Sequence, residues 1–211
     1  MKQYYKSIKE ELDYEAELYA EKLLKKDWRY MKEEAELFLI HAFSHLFEIS
    51  AKGYDLLGSD EHKTKYSQFY LNLAVGLELL LKSILLKKRI GVNINGKRTR
   101  QFSYIIEHHL NGILSGLSAN TLSEVKATLM LINAKRNNIA HRSKRIYEHY
   151  AYEHRFSYVT LYIYERFFYG QNESLVRLLL KSIERSRITS GMDFKSMRIT
   201  PKSLRSTPDS E

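Results

Sequence analysis

The sequence predicts an all-α protein, an up-and-down bundle of about five to seven helices followed by a flexible basic C-terminal tail. Three observations predict it. Both prolines of the 211-residue chain, Pro201 and Pro208, lie near its end, so residues 1–200 lack the side chain that breaks helices. Those residues are rich in Leu, Glu, Lys, Ala and Tyr, most of which favour helices. The nine glycines are spread thinly, and Gly53, Gly58, Gly91, Gly96 and Gly170 fall where helices are expected to stop. Residues 1–185 read as one helical domain and 186–211 as an appendage.

Residues 4–26 read as a charged helix with a thin apolar stripe through Tyr5, Leu12, Leu18, Leu23 and Leu24. Residues 33–51 form a strongly apolar amphipathic helix opened by acids, which suit a helix N-terminus. Residues 53–60 are the turn. Residues 62–89 read as the buried central helix, because their middle is apolar on most faces; Leu73, Leu77, Leu80, Leu81 and Ile84 are its expected core. Residues 90–101 are a basic loop, or a small hairpin around Asn95-Gly96, a pair that favours a type I′ turn. Residues 102–116 form a short helix broken by residues 118–120. Thr121 or Ser123 can cap the next helix, which is expected to end near residue 136. Residues 147–169 are a long helix and 172–186 a shorter one. From Ser186 onward nine Ser/Thr, five Lys/Arg and both prolines within 26 residues read as a flexible tail.

Composition excludes several classes of chemistry. With no cysteine, the chain can hold no disulfide framework, zinc ribbon, iron–sulfur cluster or thiol nucleophile. The first 17 residues are too charged for a signal peptide, and the longest apolar run, 71–86, is interrupted by Glu78 and Lys82. A soluble cytoplasmic protein with no membrane partner is expected. The net charge of +9 is lopsided: residues 1–60 sum to −4 and residues 61–211 to +13. Residues 82–145 alone carry 13 Lys/Arg against Glu107 and Glu124. Such a field suits a polyanion such as RNA or DNA, or is a solvated face that aids solubility. Lys97, Arg98, Arg100, Lys135, Lys144 and Arg145 are its candidate phosphate contacts.

One segment carries a candidate chemistry. Residues 134–142 read Ala-Lys-Arg-Asn-Asn-Ile-Ala-His-Arg, with Arg136, Asn137 and His141 in an Arg-Asn-x-x-x-His series. With 14 Arg and 8 His, chance supplies about half an Arg-x4-His match; requiring Asn after Arg lowers this to roughly 0.02. Five residues of straight helix leave Arg136 and His141 about 140° apart, whereas Asn137 and His141 share a face. Asn137-Asn138 is also a poor helix interior. The series is therefore expected at a helix end or kink, where the Arg136 side chain can swing towards the imidazole.

Together with Gly76-Leu77-Glu78-Leu79-Leu80-Leu81-Lys82-Ser83 on the central helix, this series resembles the HEPN domains. These are small helical bundles, many of them metal-independent ribonucleases. The resemblance covers roughly residues 33–168 and assigns the signature positions to Arg136, Asn137 and His141. It implies an endoribonuclease of a toxin–antitoxin or antiphage defence system that needs no cofactor. It also implies a homodimer in which two motifs share one cleft, and an antitoxin or defence-complex partner. Some HEPN toxins are neutralised by modification of a tyrosine two residues after the motif histidine. Here that position is Ser143, and the nearest downstream tyrosine is Tyr147, so this mode of control does not carry over.

The residue types suit RNA cleavage on their own terms. RNA contains its nucleophile, the 2′-hydroxyl, so cleavage needs a base for that proton and a cation for the developing phosphorane charge. An imidazole titrates near neutral pH, which suits His141. A guanidinium stays charged and grips phosphate oxygens in a fork, which suits Arg136. Asn137 can orient either group, and Arg142 can add a phosphate contact or be a solvated cation. Glu78 is expected to be partly buried, pairing with Arg136 or with a structural lysine.

Other candidates are His41 and His45, four apart with Glu48 following. They form either a zinc-binding face or packing at the core edge. His108 and His109 point in different directions on a helix and cannot chelate together simply. Tyr147, Tyr150, Tyr152, Tyr158, Tyr162, Tyr164 and Tyr169 either fill a core or interface, or stack on bases. Two other functions fit the composition: a non-catalytic RNA-binding or regulatory module within a larger complex, and a plain helical interaction protein. The second leaves the basic segment unexplained.

Overall fold

The structure, a computed structural model, describes residues 28–51, 59–94, 98–142, 153–190 and 199–205. The expected helix over 4–26 and most of the turn at 53–60 lie outside these residues. The described residues form an all-α bundle of eight helices, two of them single turns. They are α1 (Trp28–Ala51), α2 (Asp60–Lys87), α3 (Phe102–His108), α4 (Leu110–Ile113), α5 (Ala119–Arg142), α6 (Glu153–Phe168), α7 (Glu173–Ser190) and α8 (Lys202–Arg205). The hairpin alternative holds for its two strands, while Asn95-Gly96 lies outside the described residues. Asn93–Ile94 pairs antiparallel with Arg98–Thr99, in the register Asn93 opposite Thr99 and Ile94 opposite Arg98.

Helix α2 is the centre of the bundle and packs against α1, α3, α4, α5 and α6. Leu73, Leu77, Leu80, Leu81 and Ile84 are fully buried, as its apolar pattern predicts. Between Lys63 and Lys87 it is long and apolar enough to cross a membrane. However, 67% of its most apolar window is buried inside the bundle, as in a core helix. Helix α1 runs antiparallel to it: Phe43 meets Phe69 edge-on at 5.9 Å, and Lys65 reaches Glu48 at 2.8 Å. Gly76 makes this approach possible. A Cβ there would stand 2.8 Å from Leu39 Cγ and 3.2 Å from the Ala35 carbonyl oxygen, closer than packing allows.

Several boundaries move, each for a tertiary reason. Helix α1 already includes Trp28–Lys32, ahead of the acids Glu33 and Glu34; there Trp28 stacks on Phe168 at 5.9 Å and Met31 is buried. Helix α2 ends through Arg89, not through Gly91. Arg89 takes a left-handed φ of 61°, its N–H donates to Leu86 O, and the Ile90 N–H reaches back to Leu85 O. A non-glycine residue pays roughly 1–2 kcal/mol to sit in this region. Arg89→Gly is therefore expected to raise stability by about 0.5–1 kcal/mol, read as a higher denaturation midpoint at unchanged m-value.

The residue that caps α5 is Ser118, not Thr121 or Ser123. Its Oγ accepts the Thr121 N–H at 3.3 Å and lies 2.8 Å from the Thr121 hydroxyl. The 102–116 segment divides into α3 and α4 at His109. Helix α6 stops at Gly170, whose φ is 76°. Asn172 then caps α7, accepting the Leu175 N–H at 3.1 Å.

The tail departs from the flexible reading twice. Helix α7 continues to Ser190, and residues 199–205 return to pack on α6. Ile199 is buried, and its carbonyl accepts the Tyr158 hydroxyl at 2.6 Å. The buried Glu165 carboxylate accepts both the backbone N–H and the hydroxyl of Ser203. Two carboxylate hydrogen bonds plus burial of Ile199 and Pro201 outweigh a polar composition.

The tyrosines of α6 follow the core reading at three positions. Tyr158, Tyr162 and Tyr164 are buried, whereas Tyr169 is exposed; Tyr147, Tyr150 and Tyr152 lie outside the described residues. The Tyr164 hydroxyl donates to Glu36, and burial together with that carboxylate holds the phenol well above its ordinary pKa. Glu36 also receives Lys32 at 3.1 Å and Asn172 at 3.0 Å. One buried carboxylate on α1 thus ties down α6 and the turn into α7.

Candidate functional site

The Arg136–His141 series occupies the last two turns of α5. The helix continues through Asn137-Asn138 to Arg142 instead of ending near residue 136. Ile132 and Asn133 are buried and Ile139 packs against the core, so side-chain burial on one face overrides the weak propensity of two asparagines. With no break between them, Arg136 and His141 remain about 140° apart around the axis. The side chains of His141 and Arg142 lie outside the described residues.

Arg136 does not wait for an imidazole partner. Its Nη1 donates to Glu78 Oε2 at 3.2 Å, reaching from α5 to the middle of the central helix. The other carboxylate oxygen, Oε1, accepts Lys82 Nζ at 2.6 Å, one turn further along α2. Both pairings foreseen for Glu78 occur at once. The three groups grade from inside to outside: Lys82 is 6% exposed, Glu78 16% and Arg136 33%. The carboxylate thus anchors a buried ammonium on one side and a solvent-reaching guanidinium on the other. An arginine has five N–H donors. Among the described residues Glu78 alone accepts from Arg136, leaving donors to bind an anion.

Asn137 is exposed beside it, and Lys135 is half-buried. Burial pushes the Lys135 ammonium below the ordinary lysine pKa. Of the remaining basic candidates, Lys97, Lys144 and Arg145 lie outside the described residues. Arg98 is placed by its backbone pairing with Ile94. Arg100 lies two residues before α3, where its Nη1 meets His109 Nε2 and its guanidinium lies 5.3 Å from the centre of the Tyr104 ring. The structure therefore brings Glu78 to Arg136, which Lys135 and Asn137 flank on α5, and places Arg100 just ahead of α3 against His109 and Tyr104.

Of the His41–His45–Glu48 face, the carboxylate is taken up by Lys65. His45 Nδ1 is 4.0 Å from Glu48, but Glu48 receives Lys65 at 2.8 Å, and His41 is exposed. Among the described residues no group of three His, Asp or Glu is placed to hold a metal ion. His108 and His109 both lie against Tyr104, with ring centres 4.4 and 5.8 Å away, and His109 also meets Arg100. The structural lysine expected beside Glu78 is Lys82, and its i,i+4 spacing on a helix was the signal that could have named it.

No protein-family model, curated protein or solved structure matches this chain.

Proposed function

We propose that the protein is a metal-independent endoribonuclease of the HEPN type, acting in the cytoplasm within a toxin–antitoxin or antiphage defence system. The observation that carries this reading is the Arg136-Asn137-x-x-x-His141 series at the end of α5, with Arg136 tied to the core carboxylate Glu78 and still a third exposed. A guanidinium so held is pre-positioned for a phosphate oxygen, and little side-chain entropy remains to be lost when one binds. The surrounding basic segment supplies affinity for RNA.

In the proposed reaction His141 takes the proton of a 2′-hydroxyl, and that oxygen attacks the adjacent phosphorus. Arg136 steadies the charge of the phosphorane. The 5′-oxygen leaves with a proton from the second histidine of a homodimer. The products are a 2′,3′-cyclic phosphate end and a 5′-hydroxyl end, and no metal-bound water takes part. An antitoxin or defence-complex protein is the proposed partner that restrains it.

The test is cleavage of single-stranded RNA by the full chain. Activity is expected to persist in EDTA and to yield 2′,3′-cyclic ends, and an RNA with 2′-methoxy groups is expected to bind and stay intact. Cleavage of the methoxy RNA, or activity lost in EDTA and restored by a divalent metal, overturns the mechanism. A second reading, RNA binding without cleavage, is favoured by the same ion pair, since Arg136–Glu78 also serves as a tie between α2 and α5. Binding with intact RNA recovered would establish that reading instead.

A further inference from the structure

Helix α3 turns two different faces to its surroundings. Phe102, Ile105 and Ile106 are buried against the bundle, while Gln101, Tyr104, Glu107 and His108 face outward. Tyr104 is 38% exposed, unlike the buried Tyr158, Tyr162 and Tyr164. It is nevertheless held in place. The Arg100 guanidinium carbon lies 5.3 Å from its ring centre, the His108 ring 4.4 Å and the His109 ring 5.8 Å.

The arrangement around it is built, not incidental. Arg100 Nη1 meets His109 Nε2, a contact in which an arginine can only donate. Burial, with the charge of Arg100, holds His109 below the ordinary histidine pKa, in keeping with that contact. The guanidinium plane is thus fixed over the tyrosine by a second side chain, and Arg100 Nε is buried with no acceptor among the described residues. Glu107 stands 3.9 Å from His108 Nε2. Helix α3 packs against α5, which carries Arg136, and in the sequence Lys97 and Arg98 lie just ahead of Arg100.

A fixed aromatic ring, open to solvent and flanked by a cation within a strongly basic segment, matches the chemistry of an unpaired nucleobase. Stacking supplies affinity without base identity, and neighbouring cations take the phosphates. We infer that Tyr104, framed by Arg100 and His108, is a stacking site for one unpaired base of single-stranded RNA, separate from the Arg136–His141 site. This rests on the reading of the protein as RNA-binding.

The experiment uses the full chain carrying His141→Ala, so that RNA stays intact, and a single-stranded RNA holding one 2-aminopurine. Binding is read by anisotropy and stacking by quenching of the 2-aminopurine. Tyr104→Ala is expected to weaken binding about 5- to 150-fold and to abolish the quenching. Tyr104→Phe keeps the ring and is expected to keep both signals. Circular dichroism checks that Tyr104→Ala remains helical, as its exposure predicts. Unchanged affinity and quenching in Tyr104→Ala, or equal losses in Tyr104→Phe, overturn the stacking site while leaving RNA binding intact. Absence of RNA binding by both the unsubstituted chain and the His141→Ala chain overturns the RNA reading itself and the stacking site with it.

Discussion

His141→Ala is expected to lower RNA cleavage by about 10²–10⁴, the usual contribution of a positioned general acid or base. The fold is expected to survive, because position 141 lies in the last turn of α5, beyond the buried Ile132 and Asn133. RNA affinity is expected to change little and to fall steeply with added salt, because it comes from many Lys and Arg contacts rather than from the imidazole. Arg136→Ala is expected to cost a comparable factor, since one preorganised donor aimed at developing charge is worth about 10²–10³ in rate. Single-turnover cleavage with saturating protein separates these effects from binding. Cleavage by His141→Ala at the unsubstituted rate would remove the histidine from the mechanism.

The second large effect is on stability. Glu78→Ala removes the carboxylate that accepts Lys82 at 2.6 Å and Arg136 at 3.2 Å. Lys82 is 6% exposed, so the substitution takes a neutralising charge away from a buried ammonium. Deleting one side of a buried ion pair costs about 3–5 kcal/mol. Urea denaturation is expected to show a loss in that range. The double replacement Glu78→Leu with Lys82→Met is expected to recover most of it, because apolar side chains of similar volume avoid the desolvation of both charges. Glu78→Gln retains an acceptor oxygen and is expected to fold while lowering kcat with little change in KM, as Arg136 loses its charged anchor. Equal stability of Glu78→Ala and the unsubstituted chain would show that this carboxylate does not support the bundle.

Much of the bundle was legible in the sequence because its signals are local. The absence of proline before residue 201 and the apolar middle of α2 each depend on a few neighbouring residues. They led to the right fold class and to a fully buried Leu73, Leu77, Leu80, Leu81 and Ile84. Boundaries were less legible. Trp28 extends α1 through a stack on Phe168, 140 positions away, and no local pattern announces such a partner. Asn137-Asn138 looked like a helix end because intrinsic propensity is weak, and packing of the neighbouring isoleucines decided otherwise.

The candidate site divides in the same way. The sequence by itself determined which groups are available: an arginine, an asparagine and a histidine at set spacing, and a basic segment around them. It also determined that Glu78 sits on an apolar helix, one turn from Lys82. Only the tertiary structure decided that Arg136 turns to Glu78, 58 positions away, and that Arg100, Tyr104 and the two histidines close around one another. It alone decided that residues 199–205 dock on Glu165 and Tyr158. The reason is physical. Helical periodicity is a property of the backbone and its nearest neighbours, whereas the partner of a long charged side chain is chosen by desolvation among groups that only the folded chain brings together.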